Sequence, residues 1–334
     1  MNNEKFEEFC KGCIESSIEN CDSLLYQFKK NKIDIEFVIE SNKMSIGGSS
    51  CFKDDKYKIH INYGVFRKIH DIYDVLLHKN NEQFYKTVAL EKEFDDKKAA
   101  YYMRLLMEIS SKIIIFHELG HIFNGHLKYK YFEVDNRNSL EMYMLSEKNK
   151  SFPPIFSQAL ELNADAFAAT RTLGIFTFDE NISYYNEECP ELIKEKSHMY
   201  LLFFIASVIL FSEMGIANTR NNKQLHQLNY LPLRTRLDTL IRNSLAAYFG
   251  LNKEEKADSH IFTIEFLREV IGNIESYVNL YHIAHGLPET EYNINNNSEE
   301  LDETHLKHAD YLLNYWTVEV RPKLINYAHF ELPY

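Results

Sequence analysis

His117-Glu118-Leu119-Gly120-His121 lies inside the largely apolar run 112–126 and constrains this chain more than any other stretch. On an α-helix, residues four apart are rotated by about 400°, so His117 and His121 stack on one face. That spacing lets two imidazoles reach one tetrahedral Zn²⁺ at about 2.0–2.1 Å each. Glu118 falls about 100° round from His117, beside such an ion rather than on it. A carboxylate placed there can take a proton from zinc-bound water. The competing reading is an amphipathic helix that carries two of the chain's 14 histidines by accident.

Two histidines leave zinc short of a third protein ligand, and a catalytic site keeps the fourth position for water. His126 lies five residues beyond His121, a spacing that on a continuing helix points it about 140° away. It reads as a helix-end or surface histidine. Glu161-Leu162-Asn163-Ala164-Asp165 is the better source of a ligand, because it sets two carboxylates at i and i+4 on one helix face. Glu161 can ligate zinc, and Asp165 can accept the N–H of a zinc-binding histidine. Ala159, Ala164, Ala166, Ala168 and Ala169 keep this second helix slim, which a short carboxylate needs if it is to reach the same ion. An ordinary acidic helix with an alanine-rich packing face is the plain alternative.

The rest of the chain narrows the class. Its 334 residues, 45% hydrophobic and 14% aromatic, suffice for a large core in about two domains. A net charge of −12 without a Lys/Arg cluster argues against a nucleic-acid partner. The charged N-terminus lacks an export signal, and the uncharged segment 199–211 is too short for a bilayer span, so it reads as a buried core helix. Five cysteines without an export signal suggest a reducing, cytoplasmic location. Cys10-Lys11-Gly12-Cys13 looks like a redox or metal pair. Phe6, Cys10, Cys13, Ile14, Ile18 and Cys21 recur at helical spacing, however, which favours buried thiols.

Periodicity predicts an α+β fold, mostly α-helical, with a small N-terminal β-sheet. A helix is expected over 3–29, strands over 33–40 and 57–63, and a turn at Gly47-Gly48-Ser49-Ser50. Helices follow over 66–77 and 83–127, the latter interrupted at 91–98 and kinked before His117. A helix over 155–173 should stop at Gly174, and others are expected over 192–214, 231–245, 259–284 and 301–319. Three regions result: 1–95 with the first helix and sheet, 96–245 with both candidate metal motifs, and a helical region 246–334.

His117-Glu-x-x-His121 followed by Glu161-x-x-Ala-Asp165 resembles the gluzincin class of zinc metallopeptidases. The stretch 161–168 is especially similar to the prenyl-protein and heat-shock zinc endopeptidases, which are membrane-embedded. The order of parts is also similar to the soluble phage-exclusion peptidase (Lit) family. The resemblance covers about residues 57–240, with specific matches in the two motifs alone. It implies a zincin-like core in which His117, His121 and Glu161 bind Zn²⁺, Glu118 is general base and then acid, and Asp165 orients His117. The family's later segment has His-Pro followed by Arg; here Tyr230 stands where that histidine is expected, with His226 four residues earlier. Either could donate to a developing oxyanion.

The expectation is therefore a soluble zinc-dependent endopeptidase that hydrolyses peptide bonds of a protein or peptide substrate. The strand 57–63, if a free edge, would bind that substrate. On resemblance alone the chain would be a phage-defence or stress protease, with an activating protein partner in keeping with such a role. The alternative is a zinc-binding regulatory or sensor protein without proteolytic activity.

Overall fold

The computed structural model describes residues 3–27, 33–40, 48–78, 81–134, 152–215, 225–228, 231–232 and 298–332. Within 235–286 it also describes 235–237, 239–240, 270, 272–274, 276, 278–279, 281–283 and 285–286. The expected polar connections at 135–138 and 147–151, and Tyr230, lie outside these residues.

The fold is mostly helical with one three-stranded sheet, an α+β arrangement. Helix α1 (Asn3–Gln27) turns Phe6, Cys10, Cys13, Ile14 and Cys21 inward, and all its cysteines are free, buried thiols. Strands β1 (Ile35–Glu40), β2 (Gly48–Lys53) and β3 (Lys56–Asn62) follow. Strand β3 is central, parallel to β1 and antiparallel to β2. Its alternation puts Tyr57, Ile59 and Ile61 into the core.

Two expectations about the sheet are corrected. Strand β3 is paired on both sides and is not a free edge; β1 and β2 are the edges. Gly48, Ser49 and Ser50 open β2 rather than forming a turn. Gly48 is small for a different reason: a Cβ there would lie 3.0 Å from Cγ and Oε1 of Glu118. The reversal between β2 and β3 falls at Asp54 and Asp55, whose φ of 51° and 59° short acidic side chains tolerate.

Helix α2 (Tyr63–Leu76) and α3 (Glu82–Ala89) lead to α4 (Asp96–Phe123), which carries the two histidines. The Asp95 side chain caps α4 by accepting from Lys98 N at 3.0 Å. The break between α3 and α4 falls at the expected interruption, and α4 then runs for 28 residues, about 42 Å. It is buried on nearly all sides over 105–123, as a central helix must be. It stops at Asn124 and Gly125; Gly125 has φ +81° and turns the chain into the short α5 (His126–Tyr129).

Helix α6 (Pro154–Phe176) starts with proline in its first turn and continues two residues past Gly174, so that glycine is interior and not a stop. The sequence reading missed α7 (Asp179–Glu188), a polar helix with no buried residue. Helix α8 (Lys196–Gly215) buries 199–211 completely, and no described helix is long and apolar enough to cross a membrane. Residues 235–237 and 239–240 are helical, as are the described residues of 270–283. Helix α9 (Ser298–Tyr315), a wider turn over Trp316–Val320 and α10 (Arg321–Leu324) complete the described chain. Leu312, Trp316, Val320 and Leu324 join Phe156, Leu160 and Leu162 of α6 in a second apolar cluster.

Helices α4 and α6 pack at very short range. A Cβ on Gly120 would meet Ala164 Cα at 3.1 Å and Ala164 O at 3.3 Å, both backbone atoms that cannot swing aside. Gly120→Ala is expected to cost about 1–3 kcal/mol in urea unfolding. Gly174, with nothing within 4 Å and helical geometry, should respond oppositely. Gly174→Ala is expected to gain about 0.5–1 kcal/mol, whereas a left-handed stop at that position would make it a loss.

Candidate metal centre

The close approach of α4 and α6 brings three ligand-type groups together. His121 Nε2 lies 3.2 Å from His117 Nε2. Glu161 faces both, with Oε2 3.3 Å from His117 Nε2 and Oε1 3.7 Å from His121 Nε2. Ligand atoms bonded to one tetrahedral zinc at about 2.0–2.1 Å stand about 3.3–3.4 Å apart. These groups thus already span something near one face of such a tetrahedron, and among the described residues they are the group that could hold a metal ion. The His121 side chain is fully buried, while those of His117 and Glu161 keep 12% and 14% of their surface, which leaves the centre open on that side.

Each histidine is held from behind. His117 Nδ1 donates to Asp165 Oδ1 at 2.8 Å, which directs Nε2 towards Glu161. Asp165 in turn takes a fork from Arg236: Nε donates to Oδ2 at 2.8 Å and Nη2 to Oδ1 at 2.6 Å. The guanidinium also lies over the Phe211 ring, 4.6 Å from its centre. The role of Arg236 was missed in the sequence, where its one signal was the proline four residues earlier.

His126 corrects a second expectation. It is neither a surface residue nor a helix-end cation, but fully buried. Its Nδ1 lies 2.8 Å from His121 Nδ1, and its Nε2 lies 3.0 Å from Asn163 Oδ1. Asn163 Oδ1 also accepts from Asn124 Nδ2 at 2.6 Å. Gly125 explains the difference, because it ends α4 before His126 and redirects the backbone.

The electrostatics are strongly polarised. Burial opposes charge on His117, but Asp165 and Glu161 outweigh it and raise the imidazole pKa to about 10. A field that favours a proton there favours any cation. Burial likewise opposes ionisation of Asp165, yet Arg236 and His117 hold its pKa at about 2. Glu161 is also held below the usual carboxylate range, with His117 overriding burial. Burial drives His121 well below the ordinary histidine value and His126 to about 3. Glu118 differs from the other carboxylates. Burial raises it to about 7, aided by Glu161 and resisted by His117 and the Ser50 hydroxyl. Among the described residues, Glu118 Oε2 is buried without a hydrogen-bond partner.

The segment that should supply an oxyanion donor is anchored on both sides of Tyr230. Gln158 Nε2 donates to the carbonyls of Leu225 and Leu228 at 2.8 and 2.6 Å, and His308 Nε2 approaches Gln158 Oε1 at 2.7 Å. Beyond it, Arg236 is fixed on Asp165. His226 is exposed, on a single tight turn over Leu225–Gln227. Comparison with known protein families, with curated proteins and with solved structures finds no match.

The Asp165–Arg236 pair supports stability only while Asp165 is ionised. With a folded pKa of about 2 against an ordinary 3.8, its contribution is complete above about pH 4 and is lost as the pH falls towards 2. Arg236→Met leaves Asp165 as a buried charge without its guanidinium and should cost about 3–5 kcal/mol. In that variant the loss of stability that this pair produces between about pH 4 and 2 should shrink or disappear.

Proposed function

We propose that the protein is a zinc-dependent endopeptidase with a zincin-like core, in which His117, His121 and Glu161 hold the metal. The observation that carries this reading is the 3.2–3.7 Å spacing of three ligand atoms on two helices, with Glu118 on the next residue round. Two neutral imidazoles and a carboxylate suit zinc as a donor set. When bound, zinc supplies a Lewis acid that polarises a carbonyl and lowers the pKa of a coordinated water to about 7.

The protein's own residues supply the proton transfers. Glu118 has an unpartnered oxygen and a pKa near 7, so it can take a proton from the attacking water and release it to the leaving amine. Asp165 and Arg236 hold the His117 ring throughout. Tyr230 is the donor we assign to the oxyanion. Its flanking segments are tied to α6 by Gln158 and Asp165.

An extended substrate would lie along β2. That strand is one of the sheet's two edges, and it is the one whose Gly48 rests against Glu118. Strand addition there would align a peptide bond beside the general base. A segment bound by its backbone needs no free terminus, which is why we read an endopeptidase.

Glu118→Gln is expected to retain about one zinc per chain, measured by elemental analysis, and to lose cleavage by at least about 10³-fold. Retained proteolysis in that variant would refute the role given to Glu118. A wild-type protein loaded with zinc, but inert across a diverse peptide library, would favour a regulatory site instead. Tyr230→Phe should lower kcat by about 10²-fold, with zinc content and KM unchanged; an unchanged kcat removes Tyr230 from the mechanism.

A further inference from the structure

We propose that His126 is a positioning residue that fixes His121 as the tautomer protonated on Nδ1, so that the Nε2 lone pair faces the ion. This rests on the metal-ligand reading of His121. The geometry that carries it is a chain of polar atoms running from Asn124 through Asn163 and His126 to His121.

The hydrogens along this chain can be assigned one by one. Asn163 Oδ1 is a carbonyl oxygen and can only accept. It accepts from Asn124 Nδ2 at 2.6 Å, and the second group directed at it is His126 Nε2 at 3.0 Å. His126 Nε2 must therefore carry a hydrogen. The His126 ring is fully buried, with no anion in contact among the described residues. A second proton on that ring would be an uncompensated buried charge, so Nδ1 keeps its lone pair. His121 Nδ1 faces that lone pair at 2.8 Å and supplies the hydrogen between them. The remaining nitrogen of His121 is then a bare lone pair, 3.2 Å from His117 Nε2.

Both histidines reach the same tautomer by different means. His117 is backed by a carboxylate and a guanidinium, and His121 by a neutral imidazole and an amide. An anionic partner makes an imidazole a stronger donor to a metal, and a neutral partner orients it without adding charge. His126 thus orders the buried side of the centre and leaves its net charge unchanged. Trp316 meets the His126 ring at 69° with centres 6.2 Å apart and closes off its far side.

The test combines long-range ¹H–¹⁵N NMR of the His121 ring with zinc affinity measured by chelator competition. The wild-type protein should show His121 protonated on Nδ1, both zinc-loaded and after chelation. His126→Ala should weaken zinc binding about 10–100-fold and mix the His121 tautomers. His126→Gln keeps an acceptor oxygen and should restore affinity to within a few fold, so a folding defect in the alanine variant does not obscure the result. Asn163→Leu removes the acceptor and should weaken binding as His126→Ala does.

A wild-type His121 protonated on Nε2 overturns the proposal. Equal zinc affinity in wild type, His126→Ala and Asn163→Leu, all folded by circular dichroism, also overturns it. If the wild type binds no zinc, the metal reading fails on its own, and the His121 tautomer still decides the role of His126.

Discussion

Everything at the centre depends on two helix backbones coming into near contact at Gly120 and Ala164. A glutamate side chain spans only a few ångströms, so Glu161 can share an ion with His117 and His121 only if the helices approach this closely. Ordinary side chains hold helix axes about 8–10 Å apart. Here one helix contributes a glycine and the other an alanine, and Ala164 Cα lies 3.1 Å from where a Gly120 methyl would be. The same contact fixes the rotation of both helices, which brings Asp165 beneath His117 and Asn163 beneath His126. Glu161, Asn163 and Asp165 are thus positioned together, by one packing event.

The charges are arranged in depth. Arg236 is buried on Asp165, Asp165 on His117, and His117 faces Glu161. Each step alternates in sign, so no charge is buried without a neighbour, which is the condition for tolerating ions in a core. Glu118 stands outside this alternation. It faces β2 and Ser50, and burial outweighs the opposing pull of His117 and the Ser50 hydroxyl. Two carboxylates on adjacent helices consequently differ in proton affinity, one suited to holding a cation and the other to exchanging a proton.

How much of this was legible in the sequence differs by residue. The convergence of His117, His121 and Glu161 could be read because i, i+4 spacing is a property of one helix and the alanines announced a slim second one. The buried run 199–211 and the buried thiols of α1 were legible from period and length. Gly48, Gly125 and Gly174 were not, because a glycine gives the same local signal whether it makes a turn, admits a neighbour or merely sits in a helix. Gly48 makes room for Glu118, Gly125 bends the chain, and Gly174 does neither. His126 followed from the same ambiguity: carrying α4 on through Gly125 sends its ring to the wrong side. Arg236 was hard to read because its one local mark, the proline four residues earlier, says nothing of a partner 71 positions away in the chain.

The end of α4 has one more neighbour. His329 N donates to Phe123 O at 2.7 Å, Phe330 stacks on Phe123, and the backbone of Tyr327 fills the space beside Gly125. The bend that swings His126 under His121 is thus wedged in place by residues 327–330, some 200 positions later in the chain. During synthesis the two metal motifs leave the ribosome long before that wedge does. A nascent chain that has not yet reached these residues holds the ligands but not the brace, so the finished geometry waits for residues 327–330.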